Sequence, residues 1–290
     1  SGNSGAPRVR AQEGQTEEAA SIEAVRPYGF KIPDGYDGKT PVPLVLLLHG
    51  YTSNGEEQDA YFKLGELADQ ENFFLAYPDG TVDPGGNRFW NATDACCDFF
   101  RSGVDDAGYL ATVIDDIVGS YNVDQSRIFA VGHSNGGFMS HRFACDTAGR
   151  VAAIVSLAGM QWSDASRCQP SAPVSVLQVH GSDDSTISYD GGATPGGTYP
   201  GARETLATWA GKNGCTGQLA GSGERLDLEG QIPGPETSVE RYSGCGETAV
   251  ELWTIEGGSH IPAFNDSWAK SIWRFLDSHP RPQVVPGGSA

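Results

Sequence analysis

The stretch Arg127-Ile-Phe-Ala-Val-Gly-His-Ser-Asn-Gly-Gly137 constrains the fold more than any other part of the chain. An apolar, β-branched run from Ile128 to Val131 leads straight into Gly132-His133-Ser134-Asn135-Gly136, a G-x-S-x-G element. Phe138, Met139 and Phe143 then supply the apolar face of a helix. The pattern reads as a buried parallel strand, a tight turn and a helix. A serine at the tip of such a turn sits in strained backbone geometry with its hydroxyl clear of the sheet. Glycines two residues to either side let neighbouring backbone pass without Cβ clashes. The helix aims its free N–H groups at the point where negative charge develops in acyl transfer. An ordinary glycine-rich turn is the competing reading, and the element's placement between strand and helix favours the nucleophile elbow.

The rest of the chain repeats the alternation. Val42 to His49 is a continuous apolar run suited to a central strand, Gln58 to Gln70 has helical periodicity, and Phe73 to Tyr77 is the next strand. A long loop rich in Gly, Asp and aromatics follows from Pro78 to Ser102, then a helix over Ala107 to Tyr121. Val151 to Leu157, Val174 to His180 and Val250 to Ile255 are further strands, and Arg203 to Asn213 and Asn265 to Ser278 are helices. Thr216 to Val239 is loop-like, with an edge hairpin as an option. Strand-helix alternation implies an α/β fold on a parallel sheet with right-handed crossovers, whose ligands bind beyond the carboxyl ends of the strands. Residues 21–279 are expected to form this catalytic unit, after a polar, disordered leader over 1–20 and before a flexible Pro- and Gly-rich tail over 280–290.

The formal charge of −18 argues against nucleic acid or an anionic membrane as partner, since both repel an acidic surface. No apolar run reaches the length of a membrane span. The N-terminus lacks a signal peptide, so an exported protein would already have lost it. The six cysteines show no paired metal-ligand spacing, and disulfides in an oxidising compartment are the expectation. A secreted monomer fits these features.

Three segments besides the elbow lie just after strands. The chain order of a hydrolase triad on such a sheet is Ser, then acid, then His. After Ser134, His180 precedes any convincing acid and His279 lies beyond the last helix, which leaves His260 on the turn Glu256-Gly-Gly-Ser-His260 as the base. The preceding strand ends in His180-Gly-Ser-Asp183-Asp184. Successive loop residues point different ways, so one of the two carboxylates holds the imidazole, with Asp184 preferred over Asp183. Two backbone amides would form the oxyanion hole: that of Asn135 at the start of the nucleophile helix, and that of Tyr51 or Thr52 in the turn after His49-Gly50.

Polarity also orders the cysteines. Cys145 ends the helix that begins at the nucleophile and Cys168 precedes a strand, so both lie at the sheet edge away from the site and can pair. Cys215 and Cys245 bracket the excursion before the last strand, and closing that loop is worth about 3–4 kcal/mol on the chain-entropy model. Cys96 and Cys97 are then left to pair with each other, unless one of them reaches Cys145 or Cys168 instead.

With these residues assembled, the chain resembles the secreted esterases that include polyhydroxybutyrate depolymerase-like proteins and feruloyl and acetylxylan esterases. The resemblance runs from about Arg26 to Leu276. It is carried by Leu-Leu-Leu-His49-Gly50, Tyr77-Pro-Asp-Gly80, Phe89-Trp-Asn91 with Cys96-Cys97, Val104-Asp-Asp106, Gly132-His-Ser-Asn-Gly-Gly137, His180-Gly-Ser-Asp-Asp184 and Gly257-Gly-Ser-His260. It implies an α/β-hydrolase fold, ester hydrolysis through an acyl-enzyme, Ser134 as nucleophile, Asp184 as acid and His260 as base, and it calls for no cofactor or metal; the sequence itself shows no recognisable large lid. Relatives often carry an aromatic soon after that histidine, where this chain has Ile261-Pro262-Ala263.

Phe89, Trp90 and Trp162 are candidate platforms for a polymeric or phenolic ester, with Phe99 and Phe100 in the same long loop. Core packing explains any one of them equally well. Asp79, Asp83, Asp94 and Asp98 read as a solvated acidic loop rather than a calcium site. The substrate expected is a polyester or a plant cell-wall ester, the latter including feruloyl or acetylxylan esters. A non-catalytic binding protein on a hydrolase scaffold is the reading from another class, opposed by the presence of all three triad candidates.

Overall fold

The structure, a computed structural model, describes residues 26–282. The leader expected over 1–20 lies outside these residues, as does the tail from 283 onward.

Six parallel strands form the middle of the sheet: β2 (Val42–Leu48), β3 (Phe74–Pro78), β6 (Val123–His133), β7 (Ala153–Leu157), β8 (Ser175–Gly181) and β13 (Val250–Ile255). Their spatial order is β3-β2-β6-β7-β8-β13. Every residue of β2, β7, β8 and β13 is buried, because helices cover both faces. The strand period of two divides the side chains between two cores. Leu44, Leu46 and Leu48 of β2 and Ile128 and Ala130 of β6 point to one, and Val45, Leu47, Phe129 and Val131 to the other. The first core is closed by α3 (Asp106–Ser120), α4 (Asn135–Asp146) and α5 (Ala202–Lys212). The second is closed by α1 (Gly55–Phe62), α2 (Leu64–Glu71) and α6 (Ser267–Asp277). Each fully buried leucine or isoleucine in these layers contributes about 2 kcal/mol.

Antiparallel strands extend both edges. A short strand, β1 (Tyr28–Lys31), pairs outside β3, and β12 (Thr237–Tyr242) and β11 (Leu219–Leu226) continue beyond β13. The sheet is therefore mostly rather than wholly parallel. The segment 216–239 supplies the edge strand β11 and the start of its partner β12.

Local departures from the sequence expectations have identifiable causes. The single helix expected over 58–70 is two, broken at Lys63, whose φ of 57° is left-handed. The Lys63 N–H closes the first helix on the Asp59 carbonyl (2.7 Å), and the Asp59 carboxylate accepts the Gly65 N–H at the start of the second (2.7 Å). The long loop 78–102 contains a hairpin, β4 (Thr81–Val82) with β5 (Arg88–Phe89). A second hairpin, β9 (Gly191–Thr194) with β10 (Gly197–Pro200), follows the acid loop. Disulfides join Cys145 to Cys168, Cys215 to Cys245 and Cys96 to Cys97. Among the described residues no helix is long and apolar enough to cross a membrane.

Candidate active site

Ser134 stands between β6 and α4 with φ 54° and ψ −118°, a backbone conformation that non-glycine residues rarely adopt. The flanking glycines explain how it is held. A Cβ on Gly132 would lie 2.1 Å from the Gly136 carbonyl oxygen, and one on Gly136 would lie 2.0 Å from that of Leu48. Strand, turn and helix therefore close on one another only because both positions lack a side chain. The Ser134 N–H donates to the Leu157 carbonyl (2.8 Å) and its carbonyl accepts from the Phe138 N–H (2.9 Å), which anchors the turn to β7 and α4.

His260 reaches this serine from the turn after β13. Its Nε2 lies 2.9 Å from Ser134 Oγ, and its Nδ1 lies 2.7 Å from Asp184 Oδ2. The neighbouring Asp183 is exposed and accepts the Ser182 hydroxyl instead (2.9 Å). Asp184 Oδ1 accepts the amides of Thr186 and Ile187, each at 2.8 Å. Burial raises the Asp184 carboxyl, but hydrogen bonds from His180 and His260 outweigh it and hold the group well below the usual carboxylate range. The loops that carry Asp184 and His260 touch closely: a Cβ on Gly181 would fall 2.2 Å from the Gly258 carbonyl oxygen. His133 adds a further tie, its Nε2–H donating to the His260 carbonyl (2.9 Å). Burial and the neighbouring His260 push the His133 imidazole down to about 4, so it is neutral in this role at pH 7.

Of the three amides expected to face an oxyanion, two remain candidates. The Thr52 N–H donates to the Arg88 carbonyl (2.8 Å), which corrects the expectation that it was an equal alternative to Tyr51. The Tyr51 N–H takes no backbone or side-chain acceptor among the described residues. It follows Gly50, where a Cβ would stand 3.7 Å from that of Ser134. The Asn135 amide opens α4 beside the serine, in the first turn where helix N–H groups lack intrahelical acceptors. The Asn135 side chain clasps Trp90, accepting its N–H (2.7 Å) and donating to its carbonyl (2.9 Å). The Trp90 indole donates to the His49 carbonyl (3.1 Å). His49 in turn donates from Nδ1 to Gly50 (2.7 Å) and accepts the Gly80 N–H at Nε2 (2.9 Å). These ties through His49, Trp90 and the Asn135 side chain carry no signal at short sequence range.

The aromatic platforms are corrected by burial. Phe89 is 1%, Trp90 0% and Trp162 5% exposed, so their rings are covered by protein and have almost no face left for a substrate. The apolar surface lies elsewhere: Val82, Phe100 and Ile261 are more than half exposed. A hollow of about 420 Å³ in the same long loop is lined by Asn91, Asp94, Asp98, Phe99 and Arg101, with Gly196 across from them. One lining residue, Phe99, packs its ring edge-on against Tyr51 at 5.6 Å. The loop carboxylates are engaged by protein groups. Asp79 accepts the Gly55 amide and Asp83 those of Gly85 and Asn87, Asp94 pairs with Arg167, and Asp98 accepts the Ser102 and Gly103 amides.

The family described as esterase PHB depolymerase matches residues 27–207. Feruloyl esterase B of Piromyces equi is 29% identical over 255 residues, covering 85% of this chain and 44% of that protein. Feruloyl esterase D of Neurospora crassa is 25% identical over 282 residues, covering 91% of this chain and 86% of that one. The chain thus spans less than half the length of the first relative and most of the second. Among solved structures, acetyl xylan esterase from Aspergillus awamori aligns with a TM-score of 0.60 at 17% identity, covering 87% of this chain and 93% of that one. Esterase PE8 aligns with a TM-score of 0.56 at 15% identity, covering 86% and 97%. At these identities the likeness is one of fold, the α/β-hydrolase fold. By the extent of the family match, the chain belongs to the family described as esterase PHB depolymerase.

Proposed function

We propose that this chain is a secreted serine esterase that works through an acyl-enzyme. The observation that carries the reading is the unbroken line Asp184–His260–Ser134 on a strained elbow, at 2.7 and 2.9 Å. His260 takes the Ser134 proton as Oγ attacks the ester carbonyl, and Asp184 stabilises the imidazolium without taking its proton. The amides of Tyr51 and Asn135 hold the tetrahedral oxyanion. The imidazolium protonates the departing alcohol, and His260 then activates water to release the acid. One chain supplies every group, so a monomer suffices, with 21–279 as the catalytic unit. Three disulfides fit an oxidising, extracellular setting.

For substrate, the names of the feruloyl esterase relatives, with a hollow lined by the Phe99 that packs on Tyr51, favour a plant cell-wall ester with a phenolic acyl group. The exposed Val82, Phe100 and Ile261 favour a second reading, the surface of a polyester. Hydrolysis of methyl ferulate, p-nitrophenyl butyrate and polyhydroxybutyrate granules separates them. The first reading expects methyl ferulate to have the highest kcat/KM of the soluble pair and the granules to be inert. Turnover of none of the three would leave the binding-protein reading in its place.

A further inference from the structure

His180, the last residue but one of β8, has its ring fully buried beside Asp184. Its Nε2 lies 2.8 Å from the Ile187 carbonyl and 3.2 Å from Asp184 Oδ2, the oxygen that also faces His260 Nδ1. On its other side, Nδ1 lies 3.3 Å from Gln178 Nε2. Gln178 Oε1 lies 2.9 Å from His141 Nε2 on α4, and His141 Nδ1 lies 2.9 Å from Trp209 Nε1 on α5. Trp209, His141, Gln178 and His180 are all 0% exposed, so no water competes for these bonds.

The chemistry of the first member fixes the direction of all the others. An indole N–H can only donate. His141 therefore keeps its lone pair on Nδ1 and its proton on Nε2, which donates to Gln178 Oε1. That turns the Gln178 amide nitrogen toward His180 Nδ1 and Met160 Sδ (3.9 Å). His180 is left with its proton on Nε2, donated to the Ile187 carbonyl with Asp184 Oδ2 alongside at 3.2 Å. Reversing any one link sets two buried donors against each other, at a cost of about 1–3 kcal/mol. Burial pushes the His141 imidazole down to about 4, in keeping with a neutral ring.

We infer that these four side chains are a one-way hydrogen-bond relay whose last member, His180, is a positioning residue that sets how strongly Asp184 holds His260. The inference rests on the proposed serine-esterase reading. The His180 Nε2–H, bonded to the Ile187 carbonyl, lies 3.2 Å from the carboxylate oxygen that accepts the His260 Nδ1–H, so its positive end weakens that oxygen as an acceptor and loosens the hold of Asp184 on His260. Together with the Thr186 and Ile187 amides on Oδ1, it also fixes the plane of the carboxylate. The other titratable groups nearby are His133, whose ring centroid is 5.1 Å from that of His260, and Tyr189, edge-on to His180 at 5.7 Å.

The test follows two readouts in the wild-type protein and in Trp209→Phe, His180→Leu and His180→Gln. One is the acid limb of the kcat/KM profile for a soluble ester. The other is the low-field proton resonance of the Asp184–His260 hydrogen bond. His180→Leu is expected to raise the acid-limb pKa by about half a pH unit and to move the resonance farther downfield. Trp209→Phe, which removes one donor without touching Asp184, moves both in the same direction by less. His180→Gln, whose amide restores a donor, returns both toward wild type. If His180→Leu does not fold, Trp209→Phe decides alone. Folded variants with unchanged resonance and pKa, and only a lower unfolding midpoint, overturn the relay and leave a structural network. A wild type that hydrolyses no ester fails the esterase reading instead, and the resonance still reports on the relay.

Discussion

The side-chain amide of Asn135 grips the backbone of Trp90 from both sides, accepting its N–H at 2.7 Å and donating to its carbonyl at 2.9 Å. The residue after the candidate nucleophile thereby fixes Trp90, whose indole holds the His49 carbonyl next to the proposed oxyanion amide of Tyr51. Asn135→Ala keeps the backbone amide beside Ser134 but strands two buried polar groups on Trp90. Stability is expected to fall by about 2–4 kcal/mol in urea denaturation, and kcat by about 10- to 100-fold with little change in KM. An unchanged kcat would mean that the grip supports the fold alone.

Two glycine substitutions should have opposite effects. Gly136→Ala forces a Cβ to 2.0 Å from the Leu48 carbonyl oxygen and is expected to abolish activity or folding. Gly119, exposed near the end of α3, has open space around its Cβ direction. Gly119→Ala is expected to raise stability by about 0.5–1 kcal/mol with activity intact. Thermal unfolding and ester turnover of both variants test the pair.

That contrast also marks what the sequence made legible. The continuous apolar run of β2 and the strand-turn-helix at Ser134 are local patterns, and chain order then selected His260 and the Asp183-Asp184 pair. The edge strand β1 was not legible, because four residues, of which only Phe30 is buried and one is a glycine, carry neither a period nor a run. The break at Lys63 was hidden because helical periodicity continues on both sides of it. Loss of the Thr52 amide to Arg88, burial of Phe89 and Trp90, and the ties through His133 and His180 all arise from long-range packing. A single segment holds no trace of them.

Acidification should destabilise the protein in a defined window. Burial pushes His49, His133 and His141 each down to about 4, against 6.5 for a free imidazole. Between those values the unfolded chain binds protons that the folded chain does not, so stability rises with pH across the window and is lost as pH falls through it. Asp184 adds to the loss at lower pH. Its depressed carboxyl contributes stability that is present above the unfolded value of 3.8 and disappears as pH falls further. The urea midpoint is expected to drop between pH 7 and pH 4.5 with an unchanged m-value, and a flat midpoint would contradict neutral buried imidazoles.

The Cys215–Cys245 bridge spans 30 residues and ties the end of α5 to the turn after β12. Replacing both cysteines by serine is expected to lower stability by about 3–4 kcal/mol and to leave kcat within about twofold of wild type. A large fall in kcat in the folded variant would connect this edge to the site.

The central claim is that Ser134 forms the acyl-enzyme. Its most direct test is labelling with a fluorophosphonate, with the adduct located by peptide mass spectrometry. A single adduct on Ser134 is expected, absent from Ser134→Ala, together with a loss of esterase activity of at least about 10⁴-fold in that variant. Ester hydrolysis by the wild type without an adduct at Ser134, or by Ser134→Ala at a comparable rate, would contradict it.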